Sequence, residues 1–126
     1  MLLELGCSTG RLLEGDWCSF VKTTPASISL PTNSVDVICS IDAIEHLCRP
    51  YQTFLDAYRV LKPGGLFLIH FGPSNCSHTP QDAYALTIGQ FKKILGELPF
   101  ETLHFQRSGF FFNNAVLCLL RKPTEN

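Results

Sequence analysis

Residues 2–10 read LLELGCSTG, a short apolar run that ends at Gly6 and is followed closely by Gly10. An apolar run broken by glycine is the pattern of a strand entering a turn. Gly6 and Gly10 carry no Cβ, so the backbone at both positions can pass close to a bound molecule. In open α/β sheets, ligands sit at the carboxyl ends of central strands, which makes this turn the first candidate site. Glu4 brings a carboxylate to the end of the strand, where it can accept from an ammonium or hydroxyl group directly or through water.

Outward from this turn the chain alternates in period. RLLEGDW (11–17) fits a stub of helix limited by Gly15, and CSFVKTT (18–24) is β-branched and aromatic enough for a strand. PASISLPTNS (25–34) reads as a loop, with Pro25, Pro31 and Asn33 as breakers. VDVICSI (35–41) is a near-continuous apolar run, as a strand covered on both faces requires. Pro50 suits a first helical position, and Phe54, Leu55, Tyr58 and Leu61 recur at helical spacing. Pro63, Gly64 and Gly65 stop that helix. GLFLIHF (65–71) is the next buried strand, and GPSNCSHTPQD (72–82) a polar loop. Thr87 and Gln90 form a capping box for a helix carrying Phe91, Ile94, Leu95 and Leu98. Pro99 ends it. ETLHFQR (101–107) and AVLCLLR (115–121) are the last strands, joined through Gly109 and Asn113-Asn114. The pattern predicts a single domain over residues 1–126: an α/β sheet, mostly parallel, closed by an antiparallel C-terminal hairpin.

Composition narrows the partners. The 126 residues are 45% hydrophobic and 17% charged, a balance that supports one core and opposes disorder. A formal net charge of −1 and scattered cations oppose a nucleic-acid surface. No apolar run is long enough for a membrane helix. The six cysteines contain no CxxC pair, so zinc-ligand spacing is absent and no metal is expected. The start at Met1 lacks the features of a signal peptide, and a reduced, cytoplasmic chain is expected.

Two further stretches, LPTNSVDVICSIDAIEHL (30–47) and YRVLKPGGLFLI (58–69), follow the glycine turn in order. Taken together, Glu4–Gly10, Leu30-Pro31, Ser34-Val35-Asp36, Glu45-His46-Leu47 and Val60–Gly65 resemble the motif series of class I S-adenosylmethionine-dependent methyltransferases of the small-molecule type. The resemblance implies a Rossmann-like sheet and S-adenosylmethionine as cofactor. It implies that Gly6, Cys7, Ser8, Thr9 and Gly10 lie under the methionine and ribose part. It implies further that Glu4 lies near the cofactor amino group, and that Ser40, Ile41 and Asp42 flank the sulfonium. Ala26 and Ser27 match the place from which relatives contact adenine.

The sequence departs from the family between the glycine turn and Leu30. That interval has room for one strand and one short crossover, so a strand ending in the ribose-binding acid is missing and the sheet reads as truncated. Glu14 and Asp16 are more simply read as exposed polar residues than as substitutes. Ala26 cannot accept from the adenine amino group, and Ser27 is a weaker acceptor than a carboxylate. Loss of a strand exposes an edge, so CSFVKTT is expected beside MLLEL, or else a second copy covers that edge as a homodimer. His46 and His70 are candidate general bases on an acceptor hydroxyl, set against helix-opening and strand-end packing roles. His78 reads as exposed and His104 as structural, and Phe110–Phe112 as packing for the closing hairpin, set against an aromatic wall for an apolar acceptor. The expected function is methyl transfer to a small-molecule acceptor. The alternatives are an inactive methyltransferase-like binding or scaffold module, and a truncated product of a longer enzyme.

Overall fold

The computed structural model describes residues 1–6, 18–22, 28, 30–41, 50–72, 88–108 and 115–124. Among the described residues, six strands and two helices run in the order β1 (Leu2–Gly6), β2 (Cys18–Lys22), β3 (Val35–Ile41), α1 (Pro50–Val60), β4 (Leu61–Phe71), α2 (Ile88–Glu97), β5 (Glu101–Ser108) and β6 (Ala115–Arg121). The strands form one sheet in the order β2-β1-β3-β4-β6-β5. β2, β1, β3 and β4 are parallel neighbours, whereas β6 is antiparallel to both β4 and β5. The expected sheet, with its antiparallel closing pair, is therefore present. So is the placement of CSFVK, which pairs with β1 from Leu2–Cys18 to Gly6–Lys22.

One face of the sheet carries Leu3, Leu5, Ile38, Phe67, Ile69, Phe71, Val116, Cys118 and Leu120, all fully or almost fully buried. Alternation puts these residues on a common side, because successive side chains in a strand point to opposite faces. α1 and α2 cover that side. Phe54 of α1 meets Phe67 and Phe91 at ring-centroid distances of 5.5 and 5.8 Å, and Phe91 of α2 meets Phe71 at 5.1 Å. Tilted and edge-on contacts of this kind stabilise beyond the area they bury. Ile28, from the segment between β2 and β3, completes the same core.

The helix-to-strand turn differs from the sequence expectation. The strand begins at Leu61, directly after α1, rather than at Gly65. Leu61 pairs with Val35 and Leu66 with Val37, so Lys62–Gly65 bulges opposite Asp36. Gly64 has φ +83°, which a residue with a side chain adopts only at a cost. Its N–H donates to the Lys122 carbonyl at 2.8 Å, and the Lys122 N–H donates to the Gly65 carbonyl at 2.9 Å. The bulge is thus hydrogen-bonded to the residue that follows β6. The start of α2 at Ile88 agrees with the capping-box expectation, although Thr87 itself lies outside the described residues. The RLLEGDW helix stub, the His78 loop and Phe110–Phe112 also fall outside them.

Candidate cofactor site at the carboxyl edge of the sheet

The chain leaves β1 toward β2 on one side, then returns across β1 to β3 and continues to β4 on the other. The strand order reverses between β1 and β3, and the crevice outside the carboxyl ends of two such strands is where open α/β sheets bind ligands. Gly6 ends β1 and Ile41 ends β3, so the topology locates the crevice beside both.

Four residues expected at a cofactor lie near this end of the sheet, Glu4 and Ser40 on opposite faces of it. Glu4, only 3% exposed, lies beside Cys39 in register, and Leu5 lies beside Ser40. Gly6 faces Lys22 across the β1–β2 pair, and Ile41 faces His70 across the β3–β4 pair. His70, half-buried, is therefore brought to the same edge, one strand further from β1. Cys7, Ser8, Thr9, Gly10, Ala26, Ser27, Asp42 and His46 lie outside the described residues. His104 is exposed on β5, remote from this edge strand by strand, with Nε2 3.2 Å from Gln106 Oε1.

Ser40 provides the most informative atom. The residue is 0% exposed, and its Oγ is buried without a hydrogen-bond partner among the described residues. Leaving a buried hydroxyl unpaired costs about 1–3 kcal/mol, so such groups are rare in native cores. At the end of β3, beside the switch point, an orphan hydroxyl fits a site completed by a polar ligand. Sequence reasoning placed Ser40 at the cofactor through the resemblance, but only the fold shows the hydroxyl both buried and unpaired.

The segment that returns from β2 to β3 is held by α1, a feature that the sequence did not signal. Asp56 Oδ2 accepts from the Ile28 N–H at 3.1 Å. Arg59 donates to the Ile28 and Leu30 carbonyls, both at 2.8 Å, and to Thr32 Oγ1 at 3.3 Å. The Arg59 and Val60 carbonyls accept from the Asn33 and Ser34 N–H groups at 3.0 and 2.8 Å. In α1, Asp56 and Arg59 read as ordinary polar positions of an amphipathic helix, which hides this role.

Among the described residues no helix is long and apolar enough to cross a membrane. Residues 8–69 match a family of methyltransferase domains. Cycloartenol-C-24-methyltransferase of Arabidopsis thaliana is 35% identical over 68 residues, which are 48% of this chain and 20% of that protein. The chain thus matches about a fifth of that relative's length. The solved structure of a SAM-dependent methyltransferase from Methanosarcina mazei superposes with a TM-score of 0.72 at 13% identity, covering 98% of this chain and 92% of that one. The [4+2]-cyclase SpnF superposes with a TM-score of 0.72 at 14% identity, covering 98% and 74%. The match over residues 8–69 and the shared fold support a class I S-adenosylmethionine-dependent methyltransferase domain.

Proposed function

We propose that this domain binds S-adenosylmethionine across the carboxyl ends of β1 and β3 and methylates a small-molecule acceptor. The observation that carries the reading is the buried, unpartnered Ser40 hydroxyl beside the strand ending in Gly6. Ser40 Oγ would hydrogen-bond a polar group of the cofactor. Gly6 keeps the end of β1 free of a side chain, so that the cofactor can lie against the backbone. The Glu4 carboxylate, buried near the strand end, would accept from the ammonium group of the cofactor. Cys7–Gly10, Ile41 and Asp42 complete the methionine and ribose side, and Ala26 and Ser27 the adenine side.

Bound S-adenosylmethionine supplies an electrophilic methyl group on a sulfonium, open to in-line attack by an oxygen, nitrogen or carbon nucleophile. The contribution of the protein is chiefly to hold the acceptor in line, an effect worth roughly 7–11 kcal/mol in favourable cases. His70 reaches the same edge from β4 and is the base of choice where the acceptor must lose a proton, with His46 as the second candidate. The acceptor is proposed to be a small molecule because the motif series is that of the small-molecule type and the net charge of −1 offers no general attraction to nucleic acid.

Calorimetric titration with S-adenosylhomocysteine tests the reading. Micromolar binding that is abolished by Gly6→Arg is the expected result. Absence of heat up to millimolar ligand, from a sample with a cooperative melt, would overturn it.

A further inference from the structure

Two cations meet at the turn that leads into β3, on the amino edge of the sheet and so at the end away from Gly6 and Ile41. Arg59, in the last turn of α1, donates through Nη1 to the Leu30 carbonyl and Thr32 Oγ1, and through Nη2 to the Ile28 carbonyl. Lys122, just past β6, donates to Asn33 Oδ1 and the Leu61 carbonyl and lies against the Tyr58 ring. Thr32 and Asn33 are neighbours, so side chains from distant parts of the chain bring their charges to one exposed turn. The turn is well fixed. The Asn33 and Ser34 N–H groups donate to the Arg59 and Val60 carbonyls, and Ser34 Oγ donates to the Pro31 carbonyl at 2.7 Å.

Every one of these partners is neutral. Among the described residues, neither Arg59 nor Lys122 forms an ion pair: Asp36 is taken by the Met1 amine and Lys62, and Glu101 by Arg121. Asp56, the carboxylate nearest to Arg59 along α1, accepts from the Ile28 N–H and from Gln52 instead. The carboxyl end of α1 adds only about half a negative charge, against two full positive ones. Burial holds the pKa of Lys122 below the usual lysine value, as expected for an ammonium that has lost water without gaining a counter-charge. Donors remain to meet such a charge. Three bonds leave Arg59 two of its five N–H groups, and the exposed Thr32 hydroxyl, which accepts from Arg59, keeps its own proton to donate.

We propose that the Thr32–Asn33 turn binds a phosphate group, with the Thr32 hydroxyl and the two spare N–H groups of Arg59 as donors and Lys122 as the second positive charge. A phosphate dianion balances both cations at once, which a single carboxylate does not. The planar guanidinium also suits two phosphate oxygens side by side. The ligand is either the free ion or the phosphate of a small molecule, since the recognising chemistry is the same. The site lies at the opposite edge of the sheet from the cofactor crevice and does not depend on the cofactor reading.

The test is a titration of the full chain with inorganic phosphate, followed by NMR at the Thr32, Asn33 and Ser34 amides and the Arg59 Nε–H. Sodium chloride of matched ionic strength is the control, because it screens charge without offering phosphate oxygens. Shifts should saturate with a Kd of about 1 mM, the scale of a few charge-assisted bonds. Thr32→Val and Lys122→Gln should each weaken binding about tenfold. Lys62→Gln, which removes an ammonium already paired with Asp36, should leave it within about twofold of wild type. Lys122→Gln is measured well below its own melting temperature. Should it fail to fold, Thr32→Val, at an exposed position, carries the comparison. Phenyl phosphate, titrated in parallel, separates the sources: binding of both supports a phosphorylated molecule, and binding of the ion alone supports free phosphate. Shifts that rise linearly with phosphate or equal those in chloride overturn the proposal. So does saturation with unchanged affinity in Thr32→Val and Lys122→Gln, or an equal loss in Lys62→Gln.

Discussion

At the scale of single residues, Ser40 separates stability from binding. Its buried hydroxyl gains nothing from the protein around it, so Ser40→Ala should melt at the wild-type temperature or above it without ligand. The same variant should bind S-adenosylhomocysteine about tenfold more weakly, as the loss of one hydrogen bond implies. Calorimetric melting and titration of one sample measure both; a lower melting temperature with unchanged affinity would mark the hydroxyl as structural. Cys118 shows the opposite behaviour to a reactive thiol. Burial pushes its pKa up to about 11, because the thiolate would have to form in the apolar core. At pH 8 the peptide containing Cys118 should remain unalkylated by iodoacetamide in the native protein and react fully in denaturant. Peptide mass spectrometry reads the difference. The sequence showed which residue types gather near the glycine turn. It could not show that a particular hydroxyl is unpaired or a particular thiol inert, since both depend on neighbours distant in the chain.

At the scale of elements, the turn from α1 into β4 is closely packed. A Cβ placed on Gly65 would approach the Lys62 carbonyl oxygen to 2.8 Å, Leu61 Cδ2 to 2.9 Å and the Asp36 carbonyl oxygen to 3.0 Å. Two of those atoms are backbone and cannot swing aside, so Gly65→Ala should cost about 1–3 kcal/mol by overpacking. Urea unfolding gives the value, and a change below a few tenths would show that the bulge yields. Lys122 closes the same turn from the other end of the chain. Its Nζ donates to Asn33 Oδ1 at 2.9 Å and to the Leu61 carbonyl at 2.8 Å, and stands 4.7 Å from the centroid of the Tyr58 ring. Lys122→Met keeps the stem but loses these contacts, and should destabilise by about 1–3 kcal/mol in the same unfolding experiment. The motif VLKPGG was legible in sequence as a helix stop. The early start of the strand at Leu61 was not, because it depends on pairing with Val35 and on bonds to Lys122.

For the molecule as a whole, the sheet order sets which parts open most readily. β1, β3, β4 and β6 have strands on both sides, whereas β2 and β5 are edges. Amide hydrogen exchange should therefore be slowest in β3 and β4, beneath α1 and the phenylalanine cluster, and fastest in β2 and β5. Slower exchange in β5 than in β3 would contradict that order and indicate that the β5 edge is paired in solution. Sequence by itself determined the alternation of strands and helices and the antiparallel closing pair. These are local properties, written in hydrophobic period and in the positions of proline and glycine. Tertiary structure decided the rest. Reversal of strand order between β1 and β3 puts a crevice outside the glycine-bearing end of β1. The grip of Asp56 and Arg59 on Ile28 joins residues far apart in the chain through backbone groups that every sequence possesses, and backbone groups leave no mark in a sequence.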